Sequence, residues 1–272
     1  MDYLSRDSAP IAPELWAGID ETVVAAARKL LTGRRFLTIH GPLGAGVRSA
    51  VLDDFDTLAE VSAEGILSTA GRRYAEIPIL YEDFSLLAQD LAAAAQGGRA
   101  PELYAAAAAA QAVALREDTL IFYGNKALGY DGLLSAKGVQ SLPRGNWGEG
   151  ETAFADVAAA LALLAQKGIY GSYTLVLSPD MHLQLQRIQP GTGLLEIDRV
   201  AKLVDGRVFK TPALKPGTAA LLSAEPRNMD LVVGQDLSTA YLEQKELNHS
   251  FRVLESVLPR IKRKGAIVVF EA

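Results

Sequence analysis

The 272-residue chain has no cysteine. Disulfides, thiolate nucleophiles, iron–sulfur ligation and cysteine-based zinc sites are thereby excluded together, and the composition suits a reducing cytosol. Histidine is scarce: His40, His182 and His249 lie far apart. None has a second histidine or a carboxylate three or four positions on, as a metal-binding helix would need. Asp180 and His182 are two apart and do not share a helix face. Positive charge is in deficit, with 27 Lys and Arg against 32 Asp and Glu and a net charge of −5. Nucleic-acid binding, which needs a basic face, is not expected. Long apolar runs are missing as well. The longest, Leu103–Leu115, is mostly alanine, too short and too weakly hydrophobic to cross a membrane. The opening Met1–Asp7 shows no basic segment leading into an apolar stretch, so no signal peptide is expected.

Motifs for bond-making chemistry are equally thin. There is no Gly-x-Ser-x-Gly elbow, His-Glu-x-x-His helix or EF-hand loop. Gly41-Pro-Leu-Gly-Ala-Gly46 has the glycines of a phosphate cradle but no lysine, and Val47–Leu52 after it reads as extended, not helical. It reads as the root of an arm. The acid pairs Asp53/Asp54 and Glu117/Asp118 read as solvated faces, and the run Arg260, Lys262, Arg263, Lys264 as an inter-subunit or luminal charge patch. Trp16 and Trp147 read as core or interface anchors. No catalytic set and no metal site is expected.

What is present is an ordinary globular mix, 49% apolar and 22% charged. Pro13, Glu14 and Gly33 delimit a first helix whose apolar stripe is Leu15, Trp16, Ile19, Val23, Ala27, Leu30 and Leu31. A strand is expected over Arg35–His40. Residues 47–78 alternate weakly around scattered acids and predict an extended two-stranded arm with little core of its own, sensible only against a neighbour. Helices follow over Tyr81–Gln96 and from Pro101 to Leu120, the second carrying a six-alanine run, Ala105–Ala110, that suits close helix packing. Further helices are expected over Phe154–Lys167, Met181–Ile188 and Leu194–Val204. Strands are expected over Tyr173–Leu177, Ala219–Ser223, Leu231–Val233, Phe251–Ile261 and Ala266–Phe270. Helix-rich and strand-rich stretches are segregated, which favours an α+β fold.

An ordered set of segments carries a resemblance over nearly the whole chain. It runs Trp16-Ala-Gly-Ile19-Asp20, Leu31-Thr-Gly33-Arg34-Arg35-Phe36, Gly41–Gly46 and Glu117-Asp118-Thr-Leu-Ile121-Phe122-Tyr123-Gly124. Gly132-Leu133-Leu134, Tyr170–Leu177, Gly234-Gln235-Asp236-Leu237-Ser238 with Tyr241, and Phe251–Glu255 complete it. Together these resemble the encapsulins, bacterial and archaeal nanocompartment shell proteins, with wording most similar to the myxobacterial type. The resemblance implies the fold of tailed-phage major capsid proteins. Residues 1–46 would hold the luminal helix and the start of a peripheral domain, 47–78 the extended arm, and 79–131 the peripheral domain with its spine helix. An axial domain would occupy 132–225, and 226–272 would complete the peripheral domain.

The same resemblance implies a non-enzymatic cytoplasmic shell of about 60 or more copies. Its cargo would be a ferritin-like iron-storage protein or a dye-decolorising peroxidase, recruited by a C-terminal targeting peptide. A prophage-type capsid packaging DNA is the alternative. Carried across by position, Val24, Leu31, Arg34, Val233, Leu237 and Tyr241 would bind the cargo peptide. Where a relative has an apolar side chain near position 28, this chain has Arg28. Gln189, Pro190, Gly191, Thr192 and Gly193 would line a pore. Some relatives hold a flavin against a tryptophan; Tyr81–Asp90 has none, so no cofactor is expected.

Overall fold

Helix α1 (Pro13–Arg28) forms as its sequence directs: proline in the first turn, Glu14 at the positive end of the dipole and Arg28 at the negative end. The computed structural model describes residues 2–271. After a 3₁₀ turn at Gly33–Arg35, strand β1 (Ile39–His40) is shorter than the expected Arg35–His40. The arm follows as β2 (Ser49–Asp53), β3 (Ala59–Ala63), β4 (Ile66–Ala70) and β5 (Arg72–Glu76). It is one long hairpin with two ladders, β2 on β5 near the root and β3 on β4 at the tip.

Residues 81–96 correct the expectation of a single helix. Strand β6 (Ile79–Leu86) comes first, and helix α2 is confined to Ala88–Gln96. The reason lies in burial with a period of two: Leu80, Glu82, Phe84 and Leu86 turn inward while Ile79, Tyr81, Asp83 and Ser85 face out. Spine helix α3 (Tyr104–Tyr123) is 20 residues, about 30 Å long. It stops at Gly124, whose φ of +66° and approach to the Tyr130 carbonyl leave no room for a Cβ. The short pair β7 (Gly124–Asn125) and β8 (Tyr130–Asp131) follows.

The remaining elements are β9 (Gln140–Pro143), α4 (Thr152–Gln166), β10 (Thr174–Leu177), α5 (Pro179–Gln184), α6 (Glu196–Leu203), β11 (Val208–Lys210) and β12 (Ala219–Leu222). After them come β13 (Met229–Val233), β14 (Ser238–Lys245), β15 (Asn248–Ile261) and β16 (Ile267–Glu271). Helix α5 ends four residues before the expected Ile188, at Gln184.

Two five-stranded sheets organise the body. In the first, β15 is the central strand: β6 and β14 pair antiparallel with its first half, and β13, carrying β1 at its edge, pairs with its last residues. The second runs β11-β10-β12-β16-β9. Residues 229–261 supply β13, β14 and β15 of the first sheet, and β16 joins the second. Helices α1 and α3 pack on the first sheet around Trp16, Ile19, Val23, Phe84, Val113 and Phe251. Phe84 stacks on Phe251 at 5.1 Å and Trp16 meets it edge-on at 5.5 Å. Small residues (Ala106, Ala109, Ala110, Ala114) with Val113 form the buried face of the first half of α3. The larger core surrounds the second sheet, with Trp147 fully buried and its indole N–H donating to Asp156 at 2.8 Å.

The arm belongs to neither core. Its tip is exposed along every residue of β3 and nearly all of β4, with Ile66 71% and Leu67 66% accessible. At its root a small cluster of Ile77, Val232 and Leu258 touches Ala50, Leu52 and Ala75. The ion pairs Arg73–Asp131 (3.0 Å) and Lys264–Asp54 (2.8 Å) tie it to the body.

Candidate functional site: a groove beside the first helix

Three residues of α1 and the turn beyond it, Val24, Arg28 and Leu31, are spaced four and three apart and so lie along one helix face. The loop between β13 and β14 brings Asp236 and Leu237 opposite them. Between the two walls runs an open groove of about 360 Å³, lined by Val24, Ala27, Arg28, Leu31, Arg34, Arg35, Asp236 and Leu237. Val24 remains 37% exposed although it is apolar, and Leu237 is half-buried.

Below the groove lies a cluster of charges. The Arg34 guanidinium donates to Glu117 at 2.7–3.0 Å, to Glu255 at 2.6 Å and to Asp236 at 2.6 Å. Glu117 and Glu255 are wholly buried, whereas the Asp236 side chain is 55% exposed. Burial opposes the charge on Arg34, but its bond to Glu117 and the surrounding carboxylates outweigh that and raise its pKa. Burial raises the pKa of both Glu117 and Glu255, and at Glu255 the neighbouring Glu117 charge adds to the rise. Partial burial works against ionisation of Asp236 too, yet Arg34 holds its pKa below the usual value.

The neighbouring Asp118 is also buried, which corrects the reading of Glu117/Asp118 as a solvated face. It accepts from the backbone N–H groups of Thr32 (3.1 Å) and Gly33 (2.9 Å) and from the Thr211 hydroxyl (2.8 Å). Burial raises its pKa despite these bonds. The two acids thus clamp the segment after α1 onto the spine helix, Glu117 through a side chain and Asp118 through the backbone.

Of the six residues carried across to a peptide site, Val24, Leu31, Arg34 and Leu237 converge on the groove. Val233 does not: it is 1% exposed in β13 and faces the larger core. Tyr241 packs against Phe251 at 5.6 Å, its hydroxyl 3.2 Å from His249 Nδ1, and its backbone N–H donates to Leu4. At the other candidate site, Gln189 is 5% exposed, and Pro190, Gly191, Thr192 and Gly193 form the exposed tip of a tight turn. That turn is held by Gln189 N–H to the Leu194 carbonyl (2.8 Å) and by Thr192 Oγ1 to the Gln189 carbonyl (3.1 Å).

The glycine turn 41–46 is fastened to the end of β13, with Leu43 N–H donating to the Val233 carbonyl at 3.0 Å. Gly41 has φ +139°, and a Cβ there would sit 2.2 Å from that carbonyl oxygen. Three cations of the basic run are paired within the subunit: Arg260 and Lys262 both bind Asp230, and Lys264 binds Asp54. Among the described residues, no cluster of three or more His, Asp or Glu side chains could hold a metal ion, and no helix is long and apolar enough to cross a membrane.

A family model described as encapsulating protein for peroxidase matches residues 1–258. The type 1 encapsulin shell protein of Myxococcus xanthus is 39% identical over 277 aligned residues, covering 99% of this chain and 96% of that protein. The chain belongs to the encapsulin shell-protein family. A diheme-cytochrome–encapsulin shell fusion protein of Kuenenia stuttgartiensis is 33% identical, over 96% of this chain and 74% of that one. Among solved structures, a virus-like particle from Pyrococcus furiosus superposes with a TM-score of 0.76 at 20% identity, covering 95% of this chain and 100% of that chain. The capsid of the myovirus XM1 gives 0.62 at 13%, over 88% and 91%. The encapsulin subunit therefore has the α+β fold of phage capsid proteins, as the segment order implies.

Proposed function

We propose that this encapsulin chain closes into a cytoplasmic shell of about 60 or more copies, with no reaction of its own. In this reading it retains a cargo enzyme by a short apolar C-terminal peptide. One observation carries the proposal: Val24, Ala27, Leu31 and Leu237 line an open apolar channel beside the first helix. Exposed apolar channels of this size, rimmed by charge, are what docking sites look like. A weak site suffices, because many copies face the same interior. The fusion protein of Kuenenia stuttgartiensis, named for a shell joined to a diheme cytochrome, supports a shell that keeps protein partners close. Ferritin-like iron-storage proteins and dye-decolorising peroxidases are the cargo classes proposed, and the exposed tip Pro190–Gly193 is proposed to line the pore through which small solutes or iron enter.

The test is size-exclusion chromatography with electron microscopy of the chain co-expressed with a candidate cargo. Monomers or dimers alone would sink the shell reading, and particles filled with DNA in place of protein would favour a capsid. Val24→Asp places a charge in the channel and is expected to lower cargo per shell by about tenfold with assembly intact.

A further inference from the structure

Of the four cations in the run at 260–264, three have carboxylate partners and one does not. Arg260 and Lys262 bind Asp230 and Lys264 binds Asp54, whereas Arg263 makes no ion pair among the described residues. Arg263 is half-buried between β15 and β16, and it lines an open cavity of about 260 Å³, well apart in sequence from the groove beside α1. Lys167, just past the end of α4, lines the same cavity and is likewise unpaired among the described residues.

Two cations therefore share one space with a single carboxylate, Asp56 of the arm, which is exposed and bridges to neither of them. The polar side chain of Gln140 is engaged elsewhere, donating to the Gly138 carbonyl at 3.3 Å. Gly138 and Gly265 contribute only backbone to the wall. The end of α4 is closed by its own chain: the Leu164 carbonyl accepts from Lys167 and Ile169 N–H at 3.1 and 3.0 Å, and that of Ala165 from Gly168 N–H at 2.9 Å. Lys167 is thus not needed to satisfy those carbonyls, and its ammonium is left to the cavity.

We infer that this cavity binds a phosphoryl group, held by the Arg263 guanidinium and the Lys167 ammonium. A guanidinium offers a planar fork of N–H donors and an ammonium a point charge, the two ways in which proteins hold phosphate oxygens. The two cations come from separate segments, so the ligand must present oxygens in more than one direction. A tetrahedral oxyanion does so; a carboxylate presents a single edge. Because the cavity is open, the group can be free phosphate or the phosphate of a larger molecule whose remainder stays in solvent. Binding relieves the repulsion between Lys167 and Arg263, while Asp56 works against it.

The experiment follows phosphorus NMR line broadening of inorganic phosphate, and separately of AMP, titrated with the purified full-length chain at constant ionic strength. Saturable broadening in the millimolar range is expected. Arg263→Gln and Lys167→Gln are each expected to weaken it about tenfold, the scale of one lost charge-assisted contact. Asp56→Asn is expected to tighten it about two- to threefold. Lys202→Gln, which removes an exposed charge on α6, is expected to change nothing. Circular dichroism of each variant checks that the fold is kept. Broadening by phosphate alone assigns the free ion, and equal broadening of AMP assigns a phosphate ester; either upholds the site. Absence of saturable broadening overturns the inference. Broadening untouched by Arg263→Gln and Lys167→Gln, lost equally in Lys202→Gln, or reversed by equimolar chloride also overturns it.

Discussion

Replacing Arg34 with methionine removes a guanidinium while nearly keeping the side-chain volume. Glu117 and Glu255, both fully buried, would then face each other without a cation. Breaking a buried ion pair by removing one partner costs about 3–5 kcal/mol, because the remaining charge cannot be solvated. The exposed Asp236 adds little, since a half-solvated pair is worth at most about 1 kcal/mol. For a chain of this size, each kcal/mol lowers Tm by about 2–4 °C, so a fall of about 6–20 °C is expected near pH 8.

The pH dependence sharpens this prediction. Both glutamates have folded-state pKa values above the ordinary carboxylate value, so folding favours their protonated forms. Their contribution to stability is complete below the unfolded pKa of about 4.3 and is lost as pH rises through the folded values. Without Arg34 both values rise further. Arg34→Met should therefore lose most at pH 8 and least at pH 5, and Arg34→Met/Glu255→Gln should recover much of the loss. Thermal unfolding followed by circular dichroism across that range measures it. A loss equal at the two pH values, or below about 1 kcal/mol, would refute the account of Arg34 as the counter-charge of a sealed carboxylate pair.

Two further outcomes follow from the geometry. Asp118→Ala strands the N–H groups of Thr32 and Gly33 and the Thr211 hydroxyl; at about 1–3 kcal/mol for each buried unmet group, relieved in part by relaxation, a loss of about 3–5 kcal/mol is expected in denaturant unfolding. Ile66→Asp with Leu67→Asp, at the exposed arm tip, is expected to leave the circular dichroism of the subunit unchanged while reducing the particle fraction in size exclusion by about tenfold or more.

Much of the fold was legible in the sequence because its signals are local. Pro13 and Glu14 start α1, alanine spacing marks the spine helix, and Ser178-Pro179-Asp180 announces α5. Where tertiary partners decide, the sequence misleads. No strand is expected over Ser238–Lys245, which forms β14 because β15 supplies a ladder for it. Tyr81–Leu86 took its strand form from the same partner on the other edge. The site was half visible. Val24, Leu31 and Leu237 are apolar at the expected places, but Glu117 and Asp118 looked solvated because their partners lie far away in the chain. Arg34 and Glu255 are 83 and 138 positions from Glu117, and no local pattern reveals that pairing.

The arm meets the body through a small apolar cluster, two ion pairs and a few backbone hydrogen bonds, whereas the groove is set among α1, the spine helix and the first sheet. Swinging the arm therefore costs little and leaves the groove walls where they are. Under the docking reading proposed above, a change of arm angle would alter the curvature of an assembly without altering the groove that faces its contents.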